Sequence, residues 1–335
     1  MLRRTEVQEN SMAKHILILI HGITPEATPR NHVDQYEQFW SALQEEQPAL
    51  LAVMQKVVGV EWGNRVHATM TRPDERLSEA ERTTSQLIKT ASVQSHPSDF
   101  NLIHPGPFGD WNVIPALRPL IRKLREELVQ FGLADAVYYS SEDGERAVRA
   151  AVYGQVLTAL RELREESEVM LHVVAHSLGV TVAHDFLYGL FGKPDQPDYL
   201  GQAASAQDSA DYLFWREKAQ TGQLLLGSFT SMASQLPLFT LRKQALVDQL
   251  AAGKVLDPSV IGIVKNGQTQ WLIVYDVDDP LGFATRELYG DPPEIRQVQV
   301  DAGDTPLKAH TAYWVDGLVI SETAQLIATR AGAAY

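Results

Sequence analysis

The sequence predicts an α/β domain: a mostly parallel sheet with helices on both faces. Three observations carry that expectation. Apolar strand-length runs alternate with helix-length amphipathic stretches along the whole chain. The strongest runs, HILILI at 15–20 and VMLHVVA at 169–175, are nearly unbroken in apolar character, as strands buried on both faces are. The second of these passes directly into the helix-like stretch LGVTVAHDFLYGLFG at 178–192.

In chain order, HILILI is the first strand. Residues 32–47 (HVDQYEQFWSALQEEQ) carry the apolar spacing of an amphipathic helix. VVGVEW at 57–62 is the second strand, residues 116–133 a helix, and AVYY at 136–139 a short strand. A long helix spans 144–166, followed by the strand at 169–175 and the helix at 178–192. QLLLGSFTS (223–231), QWLIVYDV (270–277) and IRQVQV (295–300) are further strands, and 312–331 is the closing helix. Two stretches interrupt the alternation. Residues 67–114 are rich in Pro, Ser, Thr and His, and residues 193–222 are polar with an aromatic cluster, YLFW at 212–215. Both are expected as long irregular insertions, caps or lids over one end of the sheet. The aromatic cluster fits either an acyl pocket or insertion core.

Composition bounds the function. With 335 residues, 44% hydrophobic and 21% charged, the chain is long enough for a large core. A formal net charge of −13 and the lack of a basic stripe argue against nucleic acid as a partner. The sequence contains no cysteine, which excludes disulfides, thiolate metal sites and a cysteine nucleophile. The polar start, MLRRTEVQENSM, lacks the apolar core of a signal peptide, and no apolar run reaches the length of a membrane span. The expectation is therefore a cytoplasmic protein without a transmembrane segment, with residues 1–13 as a disordered arm and 14–335 as a single domain. No dinucleotide, P-loop or H-E-x-x-H motif is present, and the acids at 276–279 lack the spacing of a calcium loop. No cofactor and no metal are expected.

The chemistry-bearing segment is VVAHSLGVTV, 173–182. Ser177 stands at a strand-to-helix junction with Ala175 two residues before it and Gly179 two after. This is the small-x-S-x-small pattern that holds a serine hydroxyl out above a sheet edge. The first residue of the helix, Leu178, offers a backbone N–H beside the serine for an oxyanion. A hydroxyl needs a base, and in this arrangement the order is Ser, acid, His. Only His184 and His310 follow Ser177. His184 lies two turns along the same helix, aimed away. His310, in KAHTAYW in a loop between the last strand and the last helix, is the candidate; the competing reading is a polar loop residue capping that helix. WLIVYDVDDPLG supplies the acid: Asp279 first, because a short loop lets it reach across, and Asp276 second. After the first strand, His21-Gly22 places the Ile23 N–H as the second oxyanion donor.

On these pieces, LILIHGI, VMLHVVAHSLGVTVAHDF, LLLGSFTSMASQLPLF, WLIVYDVDDPLG and HTAYW, the chain resembles the α/β-hydrolase superfamily and, within it, lipase- and esterase-like serine hydrolases. The resemblance covers roughly residues 14–330. It departs at Ala175, where the first elbow glycine is usual, and at 231–238, where Ser-Gln-Leu-Pro replaces a T-x-G-S-P-type turn. The resemblance implies an eight-stranded sheet, a Ser177–His310–Asp279 triad, an oxyanion hole from Ile23 and Leu178, and carboxylic ester hydrolysis through an acyl-enzyme. The implied partner is a small acyl ester or lipid-like substrate. Thioesterase, acyltransferase and C–C hydrolase chemistry use the same machinery, and a non-catalytic binding protein on the same fold is the rival from another class.

Overall fold

The structure is a computed structural model that describes residues 13–22, 32–62, 139–192, 205–240, 244–265 and 269–333. The predicted helix at 116–133, the insertion at 67–114, the strand at 136–139 apart from Tyr139, and residues 193–204 lie outside the described residues, as do 1–12 and Ile23.

The described elements run β1 (Lys14–Ile20), α1 (His32–Glu46), α2 (Leu50–Val53), β2 (Met54–Val60), α3 (Glu142–Arg161), β3 (Val169–His176), α4 (Leu178–Phe191), α5 (Ala206–Gln220), β4 (Leu224–Met232), α6 (Leu236–Thr240), α7 (Gln244–Ala251), β5 (Trp271–Asp276), β6 (Ile295–Val300), α8 (Pro306–Thr311) and α9 (Gly317–Arg330). The six strands form one all-parallel sheet in the order β2-β1-β3-β4-β5-β6. The resemblance implied eight strands; the described residues contain six.

Alternate residues of each strand face opposite cores, as the pleat requires. Ile16, Ile18 and Ile20 of β1 join Leu171 and Val173 of β3 on one face, under Val148, Val152, Val156 and Leu157 of α3 and the apolar side of α4. Leu17 and Leu19 join Val174, Leu272 and Val274 on the other, under Tyr36, Phe39 and Leu43 of α1 and Val319, Ala324 and Ile327 of α9. Burial on both faces explains why these strands read as unbroken apolar runs. Each fully buried Ile or Leu contributes about 2 kcal/mol, so packing fixes their place more firmly than propensity does.

β1 is the turning point of the topology. The chain leaves it through α1 toward β2, then returns through α3, on the opposite face, to β3 on its other side. The sheet order therefore reverses direction between β1 and β3, the kind of switch point beside which open parallel sheets usually bind ligands.

Three expectations need correction. Residues 206–220 are not irregular: Ser205 caps α5, its Oγ accepting from the Asp208 amide at 3.1 Å. Tyr212 and Trp215 of this helix are fully buried in the core beside α3 and α4, so the YLFW cluster is core at these two positions. The closing helix at 312–331 is broken after a 3₁₀ turn at Tyr313–Val315, because Asp316 Oδ1 accepts from the Val319 amide at 2.9 Å and starts α9 afresh. His310 does not sit in a loop; it lies in the last turn of the six-residue α8. Among the described residues no helix is long and apolar enough to cross a membrane.

Candidate functional site

The site lies at the carboxyl ends of β1, β3, β4 and β5. Ser177 follows β3 immediately and has φ 55° and ψ −129°, a region that side-chain-bearing residues enter only at a cost of about 1–3 kcal/mol. Two backbone bonds hold it there: its amide donates to the Met232 carbonyl (2.9 Å), and its carbonyl accepts from the Val180 amide (2.9 Å). The turn works only with glycines at two close approaches. A Cβ on Gly179 would come within 2.4 Å of the His21 carbonyl oxygen of β1's outgoing chain. A Cβ on Gly22 would come within 2.5 Å of the Ser177 Cβ. Gly22 thus lies against the serine. Ala175 is buried and accommodated, so the missing first glycine leaves the turn intact.

Ser177 Oγ is 2.9 Å from His310 Nε2. On the other side of the imidazole, Nδ1 is 2.9 and 3.0 Å from the two carboxylate oxygens of Asp279. The three residues that the sequence singled out are brought together in one chain of hydrogen bonds across β3, β5 and α8. With Nδ1–H donating to the carboxylate, Nε2 has its lone pair toward the serine hydroxyl, the tautomer a general base requires.

Asp279 is held as an anion. Burial pushes its carboxyl up, but hydrogen bonds and charge from His310, the Leu281 amide (2.9 Å) and the Tyr313 hydroxyl (3.0 Å) outweigh this and hold it below the usual carboxylate value. The Tyr313 hydroxyl in turn accepts from the Asp276 amide at 2.9 Å, and burial beside Asp279 keeps it protonated well above the ordinary tyrosine range. Asp276, the second choice for the acid, is employed elsewhere: its oxygens accept from the Asp278 amide (2.8 Å) and the Ala302 amide (2.7 Å), tying β5's end to the chain after β6.

Three neighbours were not assigned a role from the sequence. Tyr313 is one. His176 is another: its Nε2–H donates to the His310 carbonyl at 2.6 Å, and its ring lies 5.1 Å from the His310 ring. Burial first, and then the nearby His310, lower its pKa to about 3, so it stays a neutral strut near pH 7. The third is Gln235, whose Nε2–H donates to Ser177 Oγ at 3.2 Å. The signal for it was present in the Ser-Gln-Leu-Pro departure at 231–238, but nothing local in the sequence aims that side chain at the serine.

On the β1 side, His21 is clamped. Its amide donates to the Tyr36 hydroxyl (2.8 Å), its Nδ1 lies 2.6 Å from the Gly22 carbonyl oxygen, and its ring stacks between His32 and Trp62. The Leu178 backbone heads α4 beside Ser177. His184 is buried, with Nε2 2.5 Å from the Tyr289 hydroxyl, and takes no part in the site. Among the described residues no group of three or more His, Cys, Asp or Glu side chains is placed to hold a metal ion. Chemically, the arrangement can remove a proton from a buried hydroxyl and stabilise the resulting imidazolium. Comparison with family models, with curated proteins and with solved structures finds no match to this chain.

Proposed function

We propose that this protein is a serine hydrolase of the α/β-hydrolase type that cleaves carboxylic esters. The observation that carries the reading is the relay Ser177–His310–Asp279 on a strained strand-to-helix turn. The parallel sheet with its site at the strands' carboxyl ends is compatible with that fold.

In this reading His310 Nε2 accepts the Ser177 proton as Oγ attacks the substrate carbonyl. The tetrahedral oxyanion is held by the Leu178 N–H and the Ile23 N–H. His310 then protonates the leaving alcohol, and the acyl-serine forms. A water attacks the acyl carbon, passes its proton to His310, and the acid leaves with Ser177 restored. Asp279 stays ionised throughout and stabilises the imidazolium. His176 fixes the backbone behind His310, and Tyr313 fixes the carboxylate.

Labelling with a fluorophosphonate probe tests the reading. Wild type is expected to label, Ser177→Ala not at all, and His310→Ala far more slowly. Folded wild type that does not label would overturn the hydrolase reading in favour of a binding protein on the same fold. Once labelling is established, a chain-length series of acyl esters and thioesters sets the substrate class.

A further inference from the structure

The segment after β4 contains a second strained turn. Ala233, fully buried, has φ 52°, and its amide donates to the Val274 carbonyl at 3.1 Å. Among the described residues only three non-glycine positions have positive φ, and two of them, Ser177 and Ala233, stand at the ends of adjacent strands in this site. Strain of this kind persists where the surroundings over-determine a geometry, commonly at functional positions. The Ala233 turn delivers Gln235 to the nucleophile. The Ser234 carbonyl accepts from the Phe283 amide (2.9 Å), which anchors the turn to the Asp279 loop.

Gln235 is 1% exposed. Its Nε2 donates to Ser177 Oγ, while its Oε1 is buried and has no hydrogen-bond partner among the described residues. A buried carbonyl oxygen left unpaired costs about 1–3 kcal/mol, and native structures seldom retain one without cause. Exchanging the amide's two ends does not relieve it. Oε1 would then compete with His310 for the serine proton, and Nε2 would be the orphan.

We propose that Gln235 reads the acyl group: its Oε1 accepts a hydrogen bond from an O–H or N–H on the carbon next to the reacting carbonyl, as in a 2-hydroxyacyl ester. The inference rests on the hydrolase reading. Two side chains meet at Ser177 Oγ, those of His310 and Gln235, and Leu178 begins the helix that follows it. In the hydrolase reading His310 takes the leaving-group side, because it must protonate that group, and the Leu178 amide takes the oxyanion side. That reading assigns Gln235's side to the acyl group. Nucleophilic attack also frees the amide, since the Oγ electron pairs become poorer acceptors as the bond to the acyl carbon forms, already in the acylation step that kcat/KM reads. Rotation of a glutamine's amide group about the Cγ–Cδ bond is soft, so Oε1 turns to the acyl group at little cost.

The test compares phenyl butanoate with each enantiomer of phenyl 2-hydroxybutanoate, using wild type, Gln235→Leu and Gln235→Glu, with active sites counted by fluorophosphonate labelling. Wild type should favour one hydroxy enantiomer, and Gln235→Leu should lose about tenfold of that preference in kcat/KM. Gln235→Glu keeps the acceptor and loses the donor, so it should retain the preference while hydrolysing both esters more slowly. A hydroxy-to-plain ratio that is the same in wild type and Gln235→Leu would overturn the inference and leave Gln235 a positioner of the serine. Labelled enzyme separates that result from failure of the hydrolase reading, which shows as no labelling of wild type and removes both.

Discussion

β3 carries a histidine–serine hydrogen bond toward each of its ends, and the two differ in every respect that matters for chemistry. In the amino-terminal half, His172 Nδ1 is 2.8 Å from Ser228 Oγ on β4, and His172 Nε2 is 3.0 Å from His15 Nδ1 on β1. At the carboxyl end, Ser177 Oγ is 2.9 Å from His310 Nε2. By distance alone the inner pair is the closer. Yet Ser228 lies within a regular strand, and the charges acting on His172 come from His15 and Arg330. Burial first, and then the nearby His15 and Arg330, lower the His172 pKa to about 3, too low for a base near neutrality. His310 has a carboxylate instead, and Ser177 has a backbone bent to present its oxygen. A buried Ser–His contact is thus a packing device by default. The acid behind the imidazole and the strained turn under the serine make the difference.

Removing each serine tests this most sharply. Ser177→Ala should lower kcat for ester hydrolysis by about 10⁶-fold. Ser228→Ala should leave kcat unchanged and lower stability by about 1 kcal/mol, since His172 Nδ1 loses its partner. A large kinetic effect at Ser228 would break the contrast.

The acids offer the next largest effect. Asp279→Asn should lower kcat by about 10⁴-fold with folding intact, because the amide favours the wrong imidazole tautomer. Asp276→Asn should keep kcat within a few-fold and lower stability by about 1–2 kcal/mol, read by urea unfolding, because it loses an acceptor for one of two backbone amides.

Backbone geometry comes third. In Gly179→Ala the new methyl meets two carbonyl oxygens, of His21 at 2.4 Å and Ile20 at 2.9 Å, and neither can swing aside. The expected cost is about 1–3 kcal/mol, a fall in melting temperature of several degrees, together with slower fluorophosphonate labelling. Gly317→Ala is the control: nothing lies within 4 Å of the added Cβ, and the melting temperature should hold or rise slightly.

What the sequence made legible follows from this contrast. β1 and β3 were readable because burial on both faces leaves unbroken apolar runs. Ser177 was readable from a local signature, and His310 from elimination. Asp279 was readable from its place after a strand. Gln235, Tyr313 and His176 were not, because their meaning lies in contacts made across neighbouring strands: Gln235 to Ser177, Tyr313 to Asp279, His176 to the His310 carbonyl. The polar character of 206–220 concealed a helix because only one side of it, Tyr212 and Trp215, is buried. The expected strand count came from resemblance and not from periodicity, and there the described sheet gives six.

The smallest expected effect concerns pH and stability. His172 is buried and has a folded pKa of about 3, below its unfolded value of 6.5. The unfolded chain therefore takes up the proton first as pH falls. The stability this histidine contributes is complete above about pH 6.5 and is lost progressively toward pH 3. At about 1.4 kcal/mol per pH unit, the loss between pH 6.5 and 4.5 is on the order of 2 kcal/mol. His176, also at about 3, adds a loss of the same sign. Urea unfolding at the two pH values should show a His172→Gln variant losing on the order of 2 kcal/mol less than wild type over the interval. That variant should still label with fluorophosphonate at the wild-type rate, because the inner histidine chain supports the sheet and not the serine. If His172→Gln has the wild-type pH slope and impaired labelling, the two ends of β3 are coupled and the division between them fails.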